Sequence, residues 1–187
     1  MAGLGRSIEV GLSDGRAALL RDARPHDARA LTRQLDAIAA EPRSGLLLEP
    51  GQRSARDWRR LISEAAERPG ALFVVAEVGG ELVGNLGLRP AHNRSSPHVG
   101  TIGISVAAPL RRLGLGGALL DTTLAWADGR YLKVELSVLG YNEGAVRFYE
   151  RHGFSCEGRR AAQYVRGGEY HDEVLMARFL TTSSPGS

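Results

Sequence analysis

At 187 residues with 43% hydrophobic content, the chain has enough material for one well-packed domain and too little for two comfortable ones. Its formal charge of +3 comes from 24 basic and 21 acidic residues spread along the sequence, which gives little footing for nucleic-acid binding. A single cysteine, Cys156, excludes an intramolecular disulfide, no Cys/His cluster has zinc spacing, and no run reaches the ~18 apolar residues of a membrane span, so a metal-free cytoplasmic protein with no membrane contact is expected.

The segment "SIEVGLSDGRAALLRD", residues 7–22, reads as two short strands around a Ser-Asp-Gly turn. In "RPHDARALTRQLDAIAAE", Asp27 is placed to cap a helix carrying Leu31, Leu35 and Ile38 on one face, which Pro42 stops. A second helix follows in "SARDWRRLISEAAERPG", capped by Ser54, closed by Pro69-Gly70 and buried through Trp58, Leu61 and Ile62. The texture then changes to strands. "ALFVVAEV" and "ELVGNLGL" flank Gly79-Gly80 as an antiparallel hairpin, and "VGTIGISV" is a third strand ended before Pro109.

A helix running to about Asp128 leads to "LKVELSV", whose Val134, Leu136 and Val138 alternate, so this part is a parallel strand-helix-strand unit. A helix from Asn142 to His152 and two strands around "RGGEY" complete the order, ending near Leu180. The expected fold is a mixed α/β sheet, antiparallel at first and locally parallel in the middle. Residues 1–15 are expected as an extension with the first hairpin strand, 16–180 as a single domain, and 181–187 as a disordered tail.

The stretch "PLRRLGLGGALL", Pro109 to Leu120, puts glycines where a helix should prefer alanine. A Walker loop fails because Ala118 and Leu119 stand where lysine and a hydroxyl are needed, and a dinucleotide fingerprint from Gly114 fails at Leu119. What remains is R-x-x-G-x-G, at Arg111, Gly114 and Gly116. Bare amides and the positive end of a helix would there receive phosphate oxygens; close packing of helix and strand explains the same glycines. Downstream, Asn142 can cap a helix whose Ala145, Phe148, Tyr149 and His152 share one face, with Gly153 suited to its left-handed end.

R-x-x-G-x-G at a helix start, followed by N-x-x-A-x-x-x-Y-x-x-x-G-F at Asn142, Ala145, Tyr149, Gly153 and Phe154, resembles the GNAT acetyltransferase superfamily. The likeness runs from about residue 16 to 180, and the closing "GEYHDEVLM" is similar to the branch of ribosomal-protein N-terminal and polyamine acetyltransferases. The resemblance implies a mostly antiparallel central sheet with a splayed parallel strand pair and helices on both faces. It implies acetyl-CoA as co-substrate, its pyrophosphate on the amides of Arg112, Leu113, Gly114, Leu115, Gly116 and Gly117, with cationic contacts from Arg111 and Arg112. By the same resemblance the pantetheine arm would pair with backbone at Ile104, Ser105 and Val106, and Asn142 would contact it, besides serving as a cap. Tyr149 would give a proton to the departing thiolate.

The family's strand glutamate is missing: "HVGTIGISV" offers Thr101, Gly103 and Ser105 on one face. His98, Glu135, His171 and Asp172 are the alternative bases, and an α-amine acceptor needs little help because its pKa of about 7.7–8.0 leaves a useful neutral fraction near pH 7.5. Cys156 has no histidine placed to activate it, so a buried or semi-buried thiol is expected rather than an acetyl-enzyme route. The expected function is transfer of acetyl to a primary amine on a small molecule or peptide by direct attack. The alternative is an acetyl-CoA-binding regulatory domain that has lost catalysis. A homodimer, common among similar proteins, is left open.

Overall fold

The computed structural model describes residues 3–91, 93 and 95–180. Within it, β-branched and leucine-rich runs punctuated by glycine turns form eight strands of one sheet. β1 (Ile8–Gly11) and β2 (Ala17–Asp22) make the first hairpin, and β3 (Leu72–Val78) and β4 (Glu81–Pro90) the second. β5 (Val99–Val106) pairs with β4, β6 (Lys133–Leu139) lies beyond it, and β7 (Ser155–Arg166) and β8 (Glu169–Phe179) close the chain as a hairpin. Gly79-Gly80 and Gly167-Gly168 both hold positive φ at each position, the geometry that two-residue hairpin turns require. The tail expected at 181–187 lies outside the described residues.

Among the described residues the strand order is β1-β2-β3-β4-β5-β6-β8-β7, with only β5 and β6 parallel. Helices cover the sheet on both sides. On one, α3 (Leu115–Ala127) and α4 (Glu143–Arg151) pack Leu115, Leu119, Leu120 and Tyr149 into the core that holds Leu72, Val74, Leu86 and Leu88. On the other, α1 (Ala28–Ala39) and α2 (Ala55–Glu67) bury Leu31, Leu35, Trp58 and Ile62 against Phe73 and Leu82. Each fully buried leucine contributes roughly 1.5–3 kcal/mol, so these two layers hold the sheet rigid where the site is built. Among the described residues no helix is long and apolar enough to cross a membrane, and no group of three or more His, Cys, Asp or Glu side chains could hold a metal.

Three local expectations meet different outcomes. Ser54 caps α2 as expected, in a reciprocal box with Asp57. Asp27 stands at the head of α1, but its carboxylate accepts no bond from that helix. It takes the Arg24 amide at 2.7 Å and two guanidinium nitrogens of Arg21 at 2.8 and 2.9 Å. Arg21 is 8% exposed and also pairs with Glu77; a buried cation must be neutralised, and this requirement outweighs a helix cap. Cys156 is exposed, contrary to expectation, because β7 is an edge strand of the sheet and most of its residues face solvent.

The parallel pair is short. β5 and β6 share register only at Val99↔Lys133, Gly100↔Val134 and Thr101↔Glu135, after which β5 continues to Val106 and β6 to Leu139 with no common register. The two strands therefore splay. Strand alternation turns Ile102, Ile104 and Val106 towards α3 and α4, and Thr101, Gly103 and Ser105 towards the side of α1 and α2.

Candidate active site

The open end of the splay meets the head of α3. After β5 a 3-10 turn through Pro109 ends the strand, and Arg112 and Gly114 then adopt φ of +62° and +92° before α3 begins at Leu115. Ala118 is the first residue of the helix to donate inward, to Gly114 O at 3.0 Å. The amides from Arg112 through Gly117 donate to no acceptor among the described residues. A run of free amides at a helix head, with about half a positive charge behind it, is an anion cradle.

The glycines here do two jobs. A Cβ on Gly114 would meet nothing within 4 Å, so this residue serves the left-handed turn and keeps the approach to the amides clear. On Gly116 it would stand 3.6 Å from Phe148 Cζ, and on Gly117 3.4 Å from His152 Nε2. Those two glycines let α4 lie against α3. The close packing expected between helix and strand is found mainly between α3 and α4, with Val106 of β5 at 3.9 Å from a Cβ on Gly116.

Arg111 is occupied differently from expectation. Its Nε donates to Val106 O at 2.8 Å, and its two terminal nitrogens donate to the Glu41 carboxylate at 2.6 and 2.8 Å. The carboxylate just beyond the end of α1 thus holds the guanidinium. Arg112 is exposed beside the amide run.

Along the splayed edge of β5, Ile104 packs on the core, while Ser105 faces β4, contrary to expectation: its Oγ accepts from Asn85 Nδ2 at 2.6 Å, and alternation between the Val99–Ala91 and Ala107–Val83 bonds points its peptide group at Asn85 rather than into the gap. Across the gap, Asn142 Oδ1 accepts the Ala145 amide at 3.2 Å and so caps α4. Tyr149 is 7% exposed, with its ring edge-on to Phe148 at 5.1 Å and to Phe154 at 5.6 Å. Burial holds its phenol well above the ordinary range, so the proton stays on.

The sequence model described as the acetyltransferase (GNAT) family matches residues 33–154, from α1 through both motifs. The chain belongs to the GNAT acetyltransferase family. It is 33% identical over 115 residues to an L-amino acid N-acetyltransferase, AaaT, of Escherichia coli strain K12, an alignment spanning 60% of this chain and 71% of that protein. The GNAT acetyltransferase structure from Streptococcus pneumoniae superposes with a TM-score of 0.80 at 23% identity, covering 87% of this chain and 99% of that one. A phosphinothricin acetyltransferase from Sinorhizobium meliloti, solved with acetyl-CoA, gives 0.78 at 21% identity, covering 90% and 92%. As a GNAT protein the chain is an acyltransferase whose donor is acetyl-CoA.

The four alternative bases of this GNAT domain separate clearly. His98 and Glu135 line one open cleft of about 670 Å³, together with Thr101 and Lys133. Glu135 belongs to the last registered pair of β5 and β6, accepts from Thr101 Oγ1 at 3.3 Å and has Lys133 Nζ 3.8 Å away. Asp172 is taken up by the Ala162 amide at 2.9 Å and Arg159 at 2.6 Å, which hold its carboxyl below the usual range. His171 stacks edge-on against Tyr141 at 4.8 Å.

One carboxylate escaped the sequence reading. Glu173 is 4% exposed and accepts from Tyr164 Oη at 2.7 Å and Arg160 at 2.9 Å. Burial pushes its pKa up, but hydrogen bonds from Tyr164, Ser137 and Arg160 outweigh that and hold it low, while the Tyr164 phenol rises to about 12. The available signal was alternation, which puts Glu173 in phase with Leu175 and Ala177 on the α1 and α2 side of β8.

Proposed function

We propose that the protein transfers the acetyl group of acetyl-CoA to the α-amino group of an amino acid or a peptide N-terminus, by direct attack with donor and acceptor bound together. The observation that carries this reading is the run of unpaired amides from Arg112 to Gly117 beside the unregistered edge of β5. Those donors suit a diphosphate, with Arg112 adding charge, and the gap-facing peptide groups of Ile104 and the Val106 N–H suit an amide-bearing arm.

In the transfer step the neutral amine forms a bond to the thioester carbon, the C–S bond breaks, and its electron pair leaves with sulfur. Tyr149 gives its proton to that thiolate. Burial keeps the phenol protonated across the working pH range. Glu135, at the point where β5 and β6 part and on the face away from α3, takes the amine proton directly or through water.

The α-amine is favoured because its pKa of about 7.7–8.0, against about 10.4 for a lysine-like amine, leaves much of it neutral near pH 7.5. The similarity to a relative named for L-amino acids supports the same class. The deciding experiment follows free thiol released from acetyl-CoA over amino acids, peptides, polyamines and aminoglycosides. The reading expects the highest kcat/KM with α-amines. Silence across the panel, with acetyl-CoA binding intact by calorimetry, would instead make the chain a catalytically inactive donor-binding domain.

A further inference from the structure

The loop between α1 and α2 crosses from one arm of the splay to the other. At the β5 arm, Glu41 takes both terminal nitrogens of Arg111, which also holds Val106 O, the last carbonyl of that strand. At the β6 arm, Tyr141 O–H donates to Ser44 O at 2.6 Å, and Gly45 lies so close to Asn142 that a Cβ would collide with its amide nitrogen. Farther on, Arg166 of the β7–β8 hairpin donates to the carbonyls of Leu46 and Leu48 and pairs with Glu49 at 2.8 Å. Leu46 and Leu48 pack on the α1–α2 core. The segment from Glu41 to Glu49 is a strap, anchored by arginine, tyrosine and arginine from three separate parts of the fold.

We infer that Arg111, although it opens the glycine motif, is a positioning residue for the acceptor side: through Glu41 it fixes this strap across the mouth of the splay. The inference rests on the proposed function for its acceptor. Its physical basis is the fork geometry of the guanidinium, which grips both carboxylate oxygens through two nitrogens and a carbonyl through the third; a lysine, whose donors share one nitrogen, lacks that fixed two-nitrogen grip. The side chains are 41% and 27% exposed, so the pair adds little stability. What it supplies is position. The strap leaves α1 on the face where Thr101, Gly103 and Ser105 point, so moving Glu41 moves the wall that an acceptor would meet.

The test compares wild type with Glu41→Gln, which keeps shape and removes charge, and with Tyr141→Phe, which releases the opposite anchor. Acetyl-CoA affinity is measured by calorimetry, acceptor KM and kcat by thiol release, and amide exchange of residues 43–49 on the protein without ligands. Both variants are expected to raise acceptor KM by about tenfold with a smaller change in kcat, to keep acetyl-CoA Kd within about twofold, and to speed exchange in the strap. A tenfold weaker acetyl-CoA Kd in Glu41→Gln with unchanged strap exchange would overturn the inference and return Arg111 to the donor. Unchanged KM and unchanged exchange would overturn it as well. If wild type acetylates no amine, the proposed function fails on its own, and exchange still decides whether Glu41 holds the strap.

Discussion

Phe148 rests against Gly116: a Cβ on that glycine would stand 3.6 Å from the ring's Cζ, an ordinary van der Waals distance. The head of α3 and the flank of α4 are therefore already in contact, and alanine fits where a larger side chain does not. Gly116→Ala should leave the fold unharmed or stabilise it by about 0.5–1 kcal/mol, since helical glycine is costly. Its methyl would lie against Phe148 and Val106, so acetyl-CoA Kd should stay within about twofold. Gly114→Ala should behave oppositely in stability. Nothing obstructs its Cβ, but φ of +92° costs a side chain about 1–2 kcal/mol. Denaturant midpoints of the two variants, taken with calorimetry, check the contrast; equal midpoints would refute it.

Tyr149→Phe removes only the phenolic oxygen from a ring packed between Phe148 and Phe154. Turnover should fall by about 10²-fold or more, the scale of a lost general acid, while acetyl-CoA Kd stays within about twofold. Steady-state thiol release and calorimetry read the two quantities separately. Undiminished kcat would take Tyr149 out of the proton-donor role.

How much of this was readable from the chain depends on the range of the interaction. The hairpins at Gly79-Gly80 and Gly167-Gly168, the Ser54 cap and the Asn142 cap are local, and residue type at a few consecutive positions decided each. Arg111 shows the opposite case. The motif supplies its place, but Glu41 lies 70 residues away and becomes its partner only when β5 and α1 are packed. Asp27 likewise has the chemistry of a cap, and only the pairing of β2 with β3 brings Arg21 and Glu77 together beside it. Glu173 is buried through its place on β8 between β6 and β7, a topology that alternation alone does not specify.

The Arg21–Asp27 pair predicts an acid sensitivity. Burial alone would raise the Asp27 pKa, but the Arg21 hydrogen bonds and the Arg24 amide outweigh it and hold the carboxyl below its ordinary 3.8. A depressed folded-state pKa gives stability that is present above the unfolded value and lost as pH falls through the folded one. Urea midpoints should therefore drop as pH is lowered below about 4. Asp27→Asn should cost about 3–5 kcal/mol at pH 7 by leaving Arg21 short of a partner in a site where both side chains are at most 10% exposed, and should make the acid slope shallower. An unchanged slope in the variant would show that other carboxylates carry the effect.

The pH dependence of turnover separates the acceptor's proton from the enzyme's. With an α-amine acceptor, kcat/KM should rise about tenfold per pH unit below the amine pKa of about 7.7–8.0 and level off above it. Because burial raises the Tyr149 phenol above its ordinary 10.0, the plateau should extend past that value for as long as the fold lasts. Glu135→Gln should lower the plateau without moving the limb, since the limb belongs to the amine. Replacing the amino acid by a slower, lysine-like acceptor should move the limb upward towards about 10.4. A limb that kept its position with both acceptors would belong to an enzyme group, and the argument for a weakly basic amine as the preferred substrate would fall with it.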